Sequence, residues 1–235
     1  MIRMLPNMFT IGNLFLGMVA LFLAFNDQWQ YAAITVIAGM LFDGLDGKVA
    51  RLLNAESEFG KELDSLCDIV TFGVAPAVIM YIAILQPYGF IGWVVAAAFP
   101  ACGALRLARF NVVKGTPGYF VGLPITAAGG VLATMALYKE VVASPLILIF
   151  GMLALAYLMV SSLKYPNFKK VGVPKQVFWL GPIVIALAVF LAIKFPSEFP
   201  KLVFIPLFAY AIWGITKNVR KHKGDDHSME SDIHY

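Results

Sequence analysis

At 235 residues, with 60% hydrophobic and only 14% charged, the chain has too little polar surface to cover a water-soluble globule of its size. Its net charge of +4 is scattered through short gaps between apolar runs, which argues against a nucleic-acid partner and suits membrane topology and anionic headgroups. Cys67 and Cys102 fall inside apolar segments without metal-type spacing, so they read as small buried apolar residues and not as a disulfide or metal framework.

Apolar segments long enough to cross a bilayer lie at 8–26, 31–50, 63–85, 89–110, 120–138, 145–163, 177–194 and 199–217. Backbone groups in lipid must be satisfied within the segment, so each run is predicted to be a helix. The first follows Arg3 as a signal peptide would, but no small-residue cleavage site comes after it, and it is expected to be retained. The expected fold class is therefore all-α: a polytopic membrane helix bundle of about eight transmembrane helices over residues 1–217. Residues 218–235, which hold His222, His227 and His234, are polar and aperiodic and are expected to form a solvated cytoplasmic tail.

Charge orients the bundle. With both termini on one side, that side collects all of the 18 Lys and Arg residues except Lys139, Lys194 and Lys201. It is expected to be the cytoplasmic side of the plasma membrane.

Four aspartates fall in one short window: Asp43 and Asp46 are three apart on the second predicted helix, and Asp64 and Asp68 are four apart on the third. Each pair shares a helix face, and the short connection lets the faces meet. Converging carboxylates need cations, and oxygen-only ligation favours Mg²⁺ or Mn²⁺. Ionisable groups in membrane helices point to function, either an ion or proton pathway or a two-metal phosphoryl-transfer site. The neighbours favour the second. Gly47 and Ala50 lie one turn after Asp43 and Asp46 and give the acidic face a flat floor. Arg51 stands beside that floor and can hold a phosphate, Ser57 lies in the connection, and Gly60 precedes Asp64 by one turn.

The string D-x-x-D-G-x-x-A-R-x8-G-x-x-x-D-x-x-x-D, filled by Asp43, Asp46, Gly47, Ala50, Arg51, Gly60, Asp64 and Asp68, resembles the signature of the CDP-alcohol phosphotransferases. The resemblance implies a CDP-linked lipid donor, two divalent metals held by Asp43, Asp46, Asp64 and Asp68, and Asp68 as the catalytic base. It also implies that Gly47, Arg51, Ser57 and Gly60 meet the nucleotide or its diphosphate. The opening P-N-x-x-T-x-x-N, with Pro6, Asn7, Thr10 and Asn13, resembles the family's first-helix element, which places Asn7 and Asn13 at the nucleotide pocket. A homodimer embedded among membrane lipids is implied as well.

Three further strings, Leu66 to Ala77, Ala104 to Val112 and Tyr119 to Ala128, resemble the membrane-embedded phosphatidylserine synthases, with Ile125-Thr126 standing where Ser-Pro or Thr-Pro is more usual. The expected donor is then CDP-diacylglycerol and the expected acceptor L-serine, whose carboxylate needs a cation. Arg109 is the first candidate and Arg106 the second, against the plainer reading that both are interface anchors. Glycerol phosphate or an inositol phosphate as acceptor, an archaeal ether-lipid donor and, more remotely, a cation or proton transporter remain open.

Overall fold

The computed structural model describes residues 5–112, 119–139, 141–166 and 202–213, together with residues 194, 195, 198 and 216. The predicted helix at 177–194 falls almost entirely outside the described residues, and the tail at 218–235 wholly so.

Helix α1 (Leu5–Phe25) is built inside out relative to a soluble helix. Its buried stripe is Pro6, Thr10, Asn13, Gly17, Ala20 and Ala24, all small or polar. The large residues Met8, Ile11, Phe15, Phe22 and Phe25 point outward, Phe15 with 67% of its surface exposed. Such a face suits lipid, where small residues let backbones approach and no hydrophobic effect pulls the large ones inward. Helix α2 (Trp29–Leu52) returns along α1, the most extensive helix pairing in the fold, after a turn in which Asp27 adopts a φ of 58°.

Helix α3 (Glu58–Asp68) starts five residues before the predicted segment at 63, because Ser57 caps it: the Ser57 hydroxyl accepts from the Gly60 N–H at 3.0 Å. After Asp68 the backbone stays helical but widens into π-type turns at Ile69–Val74. Pro76 has no N–H to offer the Phe72 carbonyl, and Ala75 donates instead to Val70, five residues back. Helix α4 (Ala75–Met80), a second wide segment (Tyr81–Leu85) and a 3₁₀ turn at Gln86–Tyr88 lead to Gly89, whose φ of 55° reverses the chain into α5 (Gly89–Val112).

The next two predicted segments are shorter than expected. Helix α6 runs Ile125–Met135 and α7 runs Pro145–Val160, against 120–138 and 145–163. Residues at the edges of these segments pair as a two-stranded antiparallel ribbon, β1 (Tyr119–Val121) with β2 (Lys164–Pro166), a short addition to a fold that is helical as expected. Pro124 disfavours helix in the residue before it, and Gly122 takes a φ of 80°, so α6 cannot begin earlier.

Among the described elements helix α6 is the innermost: every one of its 11 residues is buried except Thr126. It gets there through glycine. A Cβ on Gly129 would come within 2.8 Å of the Phe72 Cα, and one on Gly130 would meet the Met40 sulfur at 2.8 Å.

Among the described residues, two helical runs are long and apolar enough to cross a membrane, Leu5–Phe25 and the continuous Glu58–Val112. Ile125–Tyr138, Pro145–Val160 and Leu202–Trp213 are apolar but shorter, and α2 carries Asp43, Asp46, Lys48 and Arg51 near its C-terminal end. The count of eight spans thus goes beyond what the described residues carry, while the apolar exterior and the buried Asn13, Asp46, Asp68 and Arg106 fit a membrane protein.

Gly129→Ala tests the close approach of α6. The methyl group meets backbone that cannot move aside, so the substitution should destabilise the protein by roughly 1–3 kcal/mol, read as a lower unfolding midpoint in detergent. An unchanged midpoint would show that α6 is not wedged at this point.

Candidate active site

The C-terminal end of α2 and the whole of α3 carry the aspartates, and α1 lies against both. One carboxylate oxygen from each of Asp43, Asp64 and Asp68 falls in a group whose members all lie within 4.8 Å of one another. Neutral donors from other helices hold the carboxylates. Thr10 on α1 donates to Asp46 Oδ2 at 2.9 Å, with the Pro6 carbonyl also in reach at 3.2 Å. Asn13 on α1 donates through Nδ2 to Asp68 Oδ1 at 3.1 Å, and Thr126 on α6 donates to Asp43 Oδ2 at 3.4 Å. The Thr71 hydroxyl, in the wide turn after Asp68, donates to the Asn13 carbonyl at 3.0 Å and ties that turn to α1. Asn13 is wholly buried, and its Oδ1 has no hydrogen-bond partner among the described residues.

These carboxylates fit a hard divalent cation. They are acceptor-only oxygen donors, drawn from two helices and close enough to share an ion, and such a group is opposed by its own repulsion until a cation neutralises it. Asp46 stands beside the group and lines the same cavity as Asp64.

That cavity, of about 250 Å³, is bounded by Asn7, Asp46, Gly47, Arg51, Ser57 and Gly60. The residues assigned to the nucleotide thus come together on one space, except Asn13, which lies deeper, at Asp68. A Cβ on Gly47 would find nothing nearer than Arg51 Nη1 at 3.7 Å, so the floor is open. Gly60 is crowded instead: a Cβ there would lie 3.1 Å from Ser57 Oγ and 3.3 Å from Asn7 Oδ1, so α1 and the start of α3 close on each other at that glycine. The N-terminus of α3 opens on the same cavity, with backbone donors and a partial positive charge suited to phosphate oxygens. Lys61 and Phe110 also line it and were not singled out from sequence. Thr126 stood out from sequence only as a departure from the usual string; its place opposite Asp43 is a tertiary contact across 83 residues. Thr10, named in the opening string without a role of its own, shares the buried stripe of Asn13 at helical spacing.

The two arginines of α5 have different surroundings. Arg109 gives its guanidinium to backbone: Nη1 donates to the Val160 carbonyl at 3.0 Å, and Nη2 to those of Val121, Ser161 and Met159 at 3.2, 3.1 and 3.3 Å. These are carbonyls at the C-terminal end of α7, left without intrahelical donors, together with one in β1. Arg109 therefore staples the ribbon to α7. Arg106 is 7% exposed, its Nε has no hydrogen-bond partner among the described residues, and Asp68 and Asp43 are among the charges it feels. Its guanidinium sits 5.5 Å from the Phe110 ring centre. Asn111 fastens the end of α5 to α3 through Ser65 Oγ at 3.1 Å and Glu62 Oε1 at 3.3 Å.

Comparison with known proteins agrees with this geometry. A family model described as CDP-alcohol phosphatidyltransferase matches residues 3–193. A CDP-diacylglycerol–serine O-phosphatidyltransferase of Helicobacter pylori is 42% identical over 221 residues, 90% of each chain. The Bacillus subtilis protein of that name is 40% identical over 166 residues, covering 71% of this chain and 92% of its own. An archaetidylserine synthase of Methanothermobacter thermautotrophicus is 36% identical over 173 residues, 72% of each chain.

Arg109→Lys keeps the charge and loses the planar fork that reaches several carbonyls at once. The staple should weaken by about 2 kcal/mol, in the range for hydrogen bonds to charged groups, and the unfolding midpoint in detergent should fall. A variant as stable as the parent would return Arg109 to a ligand-binding role.

Proposed function

The chain belongs to the CDP-alcohol phosphatidyltransferase family, and on that premise we propose that it transfers the phosphatidyl group of CDP-diacylglycerol to L-serine, giving phosphatidylserine and CMP. The observation that carries the reading is the aspartate group at an open cavity in a chain that matches a serine O-phosphatidyltransferase along 90% of both lengths.

The chemistry is a single displacement. The serine hydroxyl gives its proton to Asp68, its oxygen bonds to the phosphorus that carries the diacylglycerol, and the bond from that phosphorus to the bridging oxygen breaks. CMP leaves with the electron pair. Divalent cations, Mg²⁺ or Mn²⁺, held by Asp43, Asp46, Asp64 and Asp68, would supply the positive charge that the diphosphate and its leaving oxygen need. Asn13, donating to Asp68 Oδ1, sets the orientation of that carboxylate. Arg51 and the N-terminus of α3 bind phosphate oxygens, and Asn7, Gly47, Ser57 and Gly60 shape the nucleotide space. Arg106, buried beside the aspartates, takes the serine carboxylate, and Arg109 holds the wall behind it. The lipid tails remain in the bilayer while the headgroup reacts at the cytoplasmic face of the plasma membrane, in a homodimer.

The archaetidylserine synthase relative favours a second reading of the donor, an ether-linked CDP lipid with the same acceptor. Both readings are separated by presenting purified protein with ester and ether CDP lipids against serine, glycerol phosphate and inositol phosphate, and following CMP release. Release dependent on serine supports the proposal, and release with another acceptor overturns its specificity. Asp43→Asn, Asp46→Asn and Asp64→Asn should each abolish release in a folded protein. A variant that keeps the parent rate at low Mg²⁺ would remove that residue from the metal group.

Arg106→Lys should raise the KM for serine about tenfold, since one lost charge-assisted contact is worth roughly 1.5–3 kcal/mol. The KM for the CDP lipid should hold. A rise in both would place Arg106 on the diphosphate.

A further inference from the structure

The one residue of α6 that is not buried is Thr126, and it sits against a metal-group aspartate. The packing shows why it arrives there. Gly130 meets Met40 of α2, and Gly129 meets the backbone of Phe72. Thr126 precedes Gly130 by four residues, while Asp43 follows Met40 by three. One turn along this antiparallel contact therefore brings the threonine opposite the aspartate. Pro124, at the start of α6, offers no side-chain cap. The Thr126 hydroxyl, in the first turn, donates to Asp43 Oδ2 at 3.4 Å. That length is longer than a usual hydroxyl–carboxylate hydrogen bond, so the contact is weak and bears on the direction of Asp43, not on its charge.

Outer partners of this kind set the direction and basicity of a ligating carboxylate, and losing one commonly weakens metal binding by 10–100-fold. Asp46 and Asp68 have such partners in Thr10 and Asn13, both on α1 and both within the opening string of the sequence. Asp43 draws its partner from the other side of the bundle. We propose that Thr126 is a positioning residue that aims the Asp43 carboxylate at a divalent cation and couples the innermost helix, α6, to the metal group. This rests on the reading of Asp43 as a metal ligand. Thr126 touches no reacting atom, so its effect is on how much metal the site requires and not on the chemical step.

The test is Mn²⁺ binding to the full-length protein in detergent without substrates, followed by electron paramagnetic resonance, beside the Mn²⁺ dependence of CMP release. Thr126→Val keeps the shape and removes the donor. It should weaken Mn²⁺ binding about tenfold, with kcat at saturating Mn²⁺ within about twofold of the parent. Thr126→Ser keeps the donor and should bind Mn²⁺ as the parent does. If valine lowers the unfolding midpoint, Thr126→Ala is judged on the same titration. Unchanged Mn²⁺ affinity in Thr126→Val overturns the proposal, and so does a raised KM for serine with unchanged Mn²⁺ affinity, which would put the hydroxyl on the acceptor. Asp43→Asn separates the two levels. Parent-like Mn²⁺ binding in Asp43→Asn sinks the metal reading itself, whereas weakened binding there with an unaffected Thr126→Val sinks only the role of Thr126.

Discussion

Carboxylates do not gather in a poorly hydrated setting unaided. One oxygen from each of Asp43, Asp64 and Asp68 lies within 4.8 Å of the others, with Asp46 beside them, in a protein whose outer face is apolar. The repulsion between such groups grows as water is excluded. Every element near the site bears on that repulsion. Two helices supply the charges, α1 and α6 supply neutral donors, and α5 contributes a buried arginine. The remaining imbalance is what makes the group a receptor for cations and, through them, for a diphosphate.

Helices must come unusually close for short donors such as threonine and asparagine to reach across. Glycine makes that possible at each crossing: Gly39 leaves room for Asn13 and Thr71, Gly60 for Asn7, and Gly129 for Phe72. The wide turns after Asp68 belong to the same economy of space, because Gly129 of α6 packs directly on the Phe72 backbone within them. In water, apolar side chains would compete for these interior positions. Where the surroundings are apolar they gain nothing by moving inward, and the interior can be given to small and polar residues.

The aspartates, Gly47, Arg51, Ser57 and Gly60 were legible because their relation is local. Spacings of three and four residues on a helix fix a shared face whatever the tertiary fold does. Helix boundaries were less so. The run at 120–138 has the composition of a span, but Gly122 and Pro124 take its first turn out of the helix and into a ribbon whose other strand lies more than 40 residues away. Arg109 and Thr126 were hidden for the same reason. Arg109 reads as one of a pair spaced for an acceptor, and only the end of α7 shows what its guanidinium meets. Thr126 reads as a departure from a familiar string, and only the register of α6 on α2 gives its hydroxyl a partner.

The inside-out stripe of α1 has a consequence for the order in which the protein is made. A chain emerges from its N-terminus, so α1 is available before α2 and α3. Its large outward residues, Met8, Ile11, Phe15, Phe22 and Phe25, suit it to lipid before any neighbour exists, with Thr10 and Asn13 as its modest polar load. The donors are then in place when the acids are synthesised. Asp46 meets Thr10, and later Asp68 meets Asn13, so these two acids find a partner in an earlier segment. Nascent-chain assembly and site construction thus run in the same direction for these two acids, while Asp43 waits for Thr126 on α6.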